Sequence, residues 1–152
     1  MQAFQIFFVS SMVRRTEDYS WERRNAHMNM IIAIALGGAT GALLRHFVAS
    51  SIVRAFGMGF PYGTFTVNMA GSLIMGILVT GFALKFEASQ ELRGFLTVGL
   101  LGSFTTFSTF SLETALMIER GDWQGAGLYT FGSLIIGVLS LFAGMWLGKV
   151  LL

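Results

Sequence analysis

Four long apolar runs dominate this chain, and they contain very few charges. A helix that crosses a bilayer needs about 20 apolar residues at ~1.5 Å rise each. Residues 30–56, 63–84, 94–118 and 123–152 all reach that length. The first carries Arg45, His46 and Arg54, all in its second half. The second carries no charge, the third only Glu113, and the fourth only Lys149 near its end. Runs that are apolar all round leave no polar face for water. They predict an all-α integral membrane protein with four transmembrane helices. The connectors at 57–62, 85–93 and 119–122 are short, which favours antiparallel neighbours in a bundle.

Composition closes off other classes. Only 12% of the residues are charged, against roughly 25% in a soluble domain. Ten basic residues against eight acidic give a net charge of +2, too small an excess for a polyanion-binding surface, so no nucleic-acid partner is expected. Cysteine is absent, which excludes disulfides and thiolate metal sites. The two histidines, His27 and His46, have no ligand spacing to another residue, and no carboxylate pair lies inside a run. No catalytic constellation is present, so an enzyme is not expected. Nineteen glycines and a single proline suit membrane helices whose backbones approach closely. Gly37 and Gly41 have the GxxxG spacing that such packing uses.

Residues 1–29 read as an amino-terminal tail, disordered or belonging to a non-native start, ahead of a four-helix unit at 30–152. A short apolar run at 2–13 precedes Arg14, Arg15, Arg23 and Arg24. With no basic residues ahead of the apolar part, it makes a poor signal peptide. Met28 and Met30 are alternative starts. Counted from Met28, the side of the amino terminus holds Lys85, Arg93 and Lys149, and the other side holds Arg45, Arg54 and Arg120. This balance gives no positive-inside bias, so insertion both ways round is expected. The four tail arginines change the count to seven against three and favour one orientation.

Three polar features inside the runs need partners or water, because unpaired polar groups in hydrocarbon are costly. In the second run, Thr64 and Asn68 are four apart and share a helix face with Gly71. In the third, Gly102 precedes a stretch rich in hydroxyls, with Thr105, Thr106, Ser108, Thr109 and Ser111 interleaved with Phe107 and Phe110. That composition weakens a helix and predicts a break, which frees backbone carbonyls for protein, water or a cation. The positive edges of two phenyl rings offer a weak lining to an anion. In the fourth, Tyr129 and Ser133 form a short polar stripe. Taken alone, each feature also has a packing explanation: interhelical hydrogen bonds for Asn68, a Phe pair at helical spacing, and an exposed carboxylate near a helix end for Glu113.

Together these elements resemble a known family. Gly37-Gly38-x-x-Gly41-Ala42-x-x-Arg45, Gly63-Thr64-x-x-Val67-Asn68-x-x-Gly71 and Gly102-x-x-Thr105-Thr106-Phe107-Ser108-Thr109-Phe110-Ser111 are similar to the signature elements of the CrcB/Fluc fluoride channels. The resemblance covers about residues 30–152. It implies an antiparallel, dual-topology homodimer in the lipid of the inner membrane, passing fluoride selectively and passively through two pores. It implies that Phe107 and Phe110 are the pore phenylalanines and that Asn68 is an amide donor facing them. Thr64 then lies towards the vestibule, with Ser108 and Thr109 supplying hydroxyls. Tyr129 and Ser133 belong to a polar track, with Glu113 at its mouth and Arg45 drawing anions to a vestibule. A structural sodium ion, Na+, is implied at the dimer centre. The backbone carbonyls of Gly102 and Thr105, with Ser103 as a further candidate, flank the break and would hold it. Main-chain oxygens suit a hard cation.

Two other readings remain open on the residues alone. One is a helix-bundle assembly subunit without transport, in which glycines and hydroxyls serve only packing. The other is a proton-coupled anion exchanger, which needs an ionisable relay inside the membrane; Glu113 is the single candidate.

Overall fold

The computed structural model describes the backbone of residues 2–152 and the side chains from Asn25 onward. The tail expected at 1–29 therefore falls largely outside the described side chains. Helix α1 is Gln2–Phe56, α2 is Tyr62–Leu84 and α6 is Trp123–Leu151. Between α2 and α6 the chain forms α3 (Gln90–Arg93), a π-helical stretch (Gly94–Leu101), α4 (Gly102–Phe104) and α5 (Phe107–Glu119). No strand occurs among the described residues. Four segments are long and apolar enough to cross a membrane: Asn25–Phe56, Tyr62–Leu84, Gln90–Glu119 and Trp123–Leu151. The hydrophobic runs locate all four.

Local chemistry sets the ends. Ser89 accepts the N–H of Leu92 and opens α3; Asp122 accepts the N–H of Gly125 at 2.9 Å and opens α6, as short oxygen-bearing side chains do at N-caps. Gly57 and Gly121 close α1 and α5 with φ of 82° and 81°, a left-handed conformation that glycine adopts at no steric cost.

Packing depends on close backbone approach. Helix α2 runs along α6, and α1 runs along the π-helical stretch. A Cβ on Gly41 would collide with the carbonyl of Leu100, and one on Gly144 with the carbonyl of Leu73. The GxxxG pair of the first run thus packs backbone against backbone, as small residues do where lipid supplies no hydrophobic drive. Two small cores result. Val67, Leu101 and Phe104 form one, and Met117, Ala126 and Tyr129 the other, with Phe60, Phe65 and Phe110 packed on it.

Candidate functional site

The third span leaves helical geometry at two residues. Thr105 has φ −85°, ψ 160° and Thr106 has φ −152°, ψ 120°, both extended. Extended backbone within an apolar span exposes polar groups that need partners. Asn68 on α2 provides them. Its Oδ1 accepts the Thr106 N–H at 2.8 Å, and its Nδ2 donates to the Thr106 carbonyl at 3.1 Å. The side chain of Thr106 then caps α5: its Oγ1 accepts the N–H of Thr109 at 3.2 Å, donates to Thr109 Oγ1 at 3.0 Å and lies 3.2 Å from Ser108 Oγ. The hydroxyl-rich sequence is what allows this, since Thr is a good N-cap and a poor interior helix residue.

Two cavities adjoin this segment and a third lies further along α5. The first, about 290 Å³, is lined by Asn68, Thr105, Thr106, Phe107, Phe110 and Ser133, with Met69, Ser72, Leu134 and Gly137 completing it. It contains amide, hydroxyl and phenyl groups but no ionisable side chain. The Phe107 and Phe110 rings lie 5.6 Å apart at 42°. Ser133 Oγ is buried without a hydrogen-bond partner. A second cavity, about 270 Å³, is lined by Arg45, His46, Ser50, Thr64, Thr106 and Thr109 with three apolar residues. Here Arg45 Nη1 reaches the Thr105 carbonyl at 3.4 Å. A third, about 240 Å³, has Glu113 and Arg120 in its walls together with Phe60 and Pro61.

Glu113 bridges three elements. Its Oε1 accepts from Thr64 Oγ1 at 2.8 Å and its Oε2 from Tyr129 OH at 2.7 Å. Tyr129 is fully buried, its ring 5.1 Å from Phe110 and 5.4 Å from Phe60. The carboxylate is therefore held inside the bundle rather than exposed at a helix end. Of the residues singled out in the sequence, Asn68, Thr105, Phe107, Phe110 and Ser133 share the first cavity. Arg45, Thr64 and Thr109 share the second. Ser108 touches only the Thr106 hydroxyl among these groups, and Gly102 lines none of the three. Thr106 and Ser72 were not singled out as site residues. Ser72 lies one helical turn beyond Asn68, so the face shared by Thr64 and Asn68 already pointed to it. Thr106 carries the N-cap signature, three residues ahead of Thr109.

Comparison with known proteins gives the family. A family model described as CrcB-like protein, Camphor Resistance (CrcB), matches residues 32–145. The chain belongs to this family. A relative in Hyphomonas neptunium, named fluoride-specific ion channel FluC, is 53% identical over 123 residues, covering 80% of this chain and 97% of the relative. A protein of the same name in Chelativorans sp. is 46% identical over 125 residues, covering 82% and 100%. One in Nitrobacter hamburgensis, fluoride-specific ion channel FluC 2, is 46% identical over 118 residues, covering 78% and 94%. The matched family segment takes in all the candidate residues from Arg45 to Ser133.

Proposed function

We propose that this protein is a fluoride-specific channel of the inner membrane, which lets the ion leave the cell passively and lowers cytoplasmic fluoride. The observation that carries the reading is the first cavity. A small bare anion in apolar surroundings costs on the order of tens of kcal/mol, so a pathway must replace its water with donors. Asn68, with one amide hydrogen left after Thr106, and Ser133, whose Oγ has no partner, line that cavity beside the Phe107 and Phe110 rings, and no ionisable side chain shares it. A fixed cation there would trap the anion and a fixed anion would repel it; neutral donors bind weakly enough for release. Arg45, in the second cavity, raises the local anion concentration without entering the first. The relatives' printed names support the same substrate.

The finer architecture follows from this reading. The third span is broken within the membrane at Thr105 and Thr106, and two protomers pair antiparallel as a dual-topology homodimer. The charge count, balanced when taken from Met28, supports the pairing. So does Phe107, which lines the cavity yet is 79% exposed on the protomer, leaving its ring free for a partner to cover.

The sodium ion fits the donors present. Thr106 N–H, the usual partner of the Gly102 carbonyl, bonds to Asn68 instead, and the Thr105 carbonyl receives only the 3.4 Å contact from Arg45. A helical carbonyl left without its donor, at Gly102, and one turned out of the helix by the extended backbone of Thr105 are suitable ligands for a hard cation. Among the described residues no cluster of three or more His, Cys, Asp or Glu side chains competes for a metal. Bound there, the ion would supply positive charge and tie backbones together; Gly102 and Thr105 would hold it.

Liposomes loaded with potassium fluoride test the function. With valinomycin present, the reconstituted protein should release fluoride without any pH gradient. An assembly subunit releases none. A proton-coupled exchanger, which the Glu113 carboxylate would serve, releases fluoride only with accompanying proton movement.

A further inference from the structure

We propose that Asn68 is a positioning residue: its carboxamide holds the third span open at Thr106 and, by doing so, releases the Gly102 carbonyl for a cation. The proposal rests on the channel reading only for what the open span is used for.

In a continuous helix each N–H donates to the carbonyl four residues back. Thr105 still obeys this rule, donating to Leu101 at 3.1 Å. Thr106 does not. Its N–H should meet the Gly102 carbonyl; instead it meets Asn68 Oδ1, while the Thr106 carbonyl receives Asn68 Nδ2. One side chain thus takes both backbone groups of one extended residue, as a neighbouring strand does in a hydrogen-bonded antiparallel pair. Thr106 is only 8% exposed, and buried backbone groups are seldom left unpaired. Few side chains offer a donor and an acceptor side by side. A carboxylate only accepts, an ammonium only donates, and a leucine does neither.

Consequences run both ways along the chain. Downstream, Thr106 caps α5 through Thr109, so the start of that helix, and with it Phe107 and Phe110, is registered to Asn68. Upstream, the Gly102 carbonyl is left without its helical donor. Anion path and cation site are therefore coupled through one amide. Nδ2 carries two hydrogens and spends one on Thr106, so holding the backbone leaves one for an ion in the cavity.

The test removes the contact from each side. Asn68→Leu removes the carboxamide. A backbone ester at Thr106, made by placing the α-hydroxy acid analogue of threonine there in the full chain, removes the N–H and leaves Asn68 intact. Thermal unfolding of the wild type, both single variants and the double variant forms a cycle. The two changes should be strongly non-additive, the double variant being little worse than Asn68→Leu alone. Additive losses overturn the clamp, and this arm stands even if the wild type conducts no fluoride. Efflux from proteoliposomes is the second arm. Each single variant should lose at least about tenfold, the effect of one buried hydrogen bond. If Asn68 serves only as an anion donor, the ester conducts like wild type, and the proposal fails. The third arm compares unfolding in sodium with unfolding in potassium. The wild type should gain stability from sodium, and Asn68→Leu, in which the Thr106 N–H is free to return to the Gly102 carbonyl, should lose that gain. A sodium response that survives Asn68→Leu, or a wild type with none, removes the link to the cation.

Discussion

Tyr129 donates its hydroxyl to Glu113 Oε2 at 2.7 Å from the face of α6 opposite α5. Thr64 of α2 occupies the other carboxylate oxygen at 2.8 Å, so one acidic side chain joins three spans. Hydrogen bonds to charged groups contribute ~1.5–3 kcal/mol each. Tyr129→Phe and Thr64→Val should each lower stability by about that amount, measured by thermal unfolding in detergent. Their combination should depart from additivity by ~0.5–3 kcal/mol, because both act on one carboxylate. Simple addition of the two losses would show that the carboxylate is not a shared hub.

The phenyl rings separate a transport role from a packing role. Phe110→Ile keeps an apolar side chain of roughly similar volume, and such swaps usually cost under ~1.5 kcal/mol. The variant forfeits the ring contacts with Phe107 and Tyr129 at 5.6 and 5.1 Å and the positive ring edge offered to an anion. Fluoride efflux should fall by at least about tenfold, equivalent to ~1.4 kcal/mol, with folding intact by size-exclusion chromatography. Wild-type efflux would return Phe110 to a packing role.

Much of this was legible because long apolar runs and short polar connectors encode spans directly. The GxxxG pair was equally readable, since Gly37 and Gly41 can pack closely only against another backbone. The role of Glu113 was not. Its partners lie 49 residues before it, at Thr64, and 16 after it, at Tyr129, and no helical spacing links them. Asn68 was readable as a polar side chain in need of a partner, but that partner is main chain. Residue type says nothing about which carbonyl or amide has left its ladder. Thr106 hid for a related reason: amid so many hydroxyls, only the extended backbone distinguishes it.

Glycines divide by what a methyl group would meet. Gly144→Ala would drive a Cβ into the Leu73 carbonyl, and overpacking of this kind costs ~1–3 kcal/mol. Gly132→Ala meets nothing within 4 Å and should leave the protomer's unfolding temperature unchanged. Gly102→Val is the informative case. A Cβ there finds only the Thr97 carbonyl, at 3.6 Å, so the protomer tolerates it. Loss of dimer by cross-linking, with the protomer still folded, is the expected result. A fully dimeric, conducting Gly102→Val variant would remove Gly102 from the interface.

Orientation follows from charge. A chain started at Met28 should insert both ways in comparable amounts, read by labelling of terminal tags from either side of the membrane. Adding two lysines to the connector at 85–93 should bias insertion to one orientation and lower the yield of functional dimers. A strong single orientation in the Met28 chain would contradict the antiparallel pairing.

Thr106 forms part of the wall of two cavities, the one beside Asn68 and the one beside Arg45. If water fills both, the short barrier that Thr106 helps to form between them carries a larger share of the transmembrane voltage than the same depth of a ~30 Å hydrocarbon layer would. An ion stepping past it then gains or loses a large part of the ~2.3 kcal/mol per elementary charge that 100 mV provides. The voltage dependence of the current would thus reside largely in a single step, next to a side chain that carries no charge of its own.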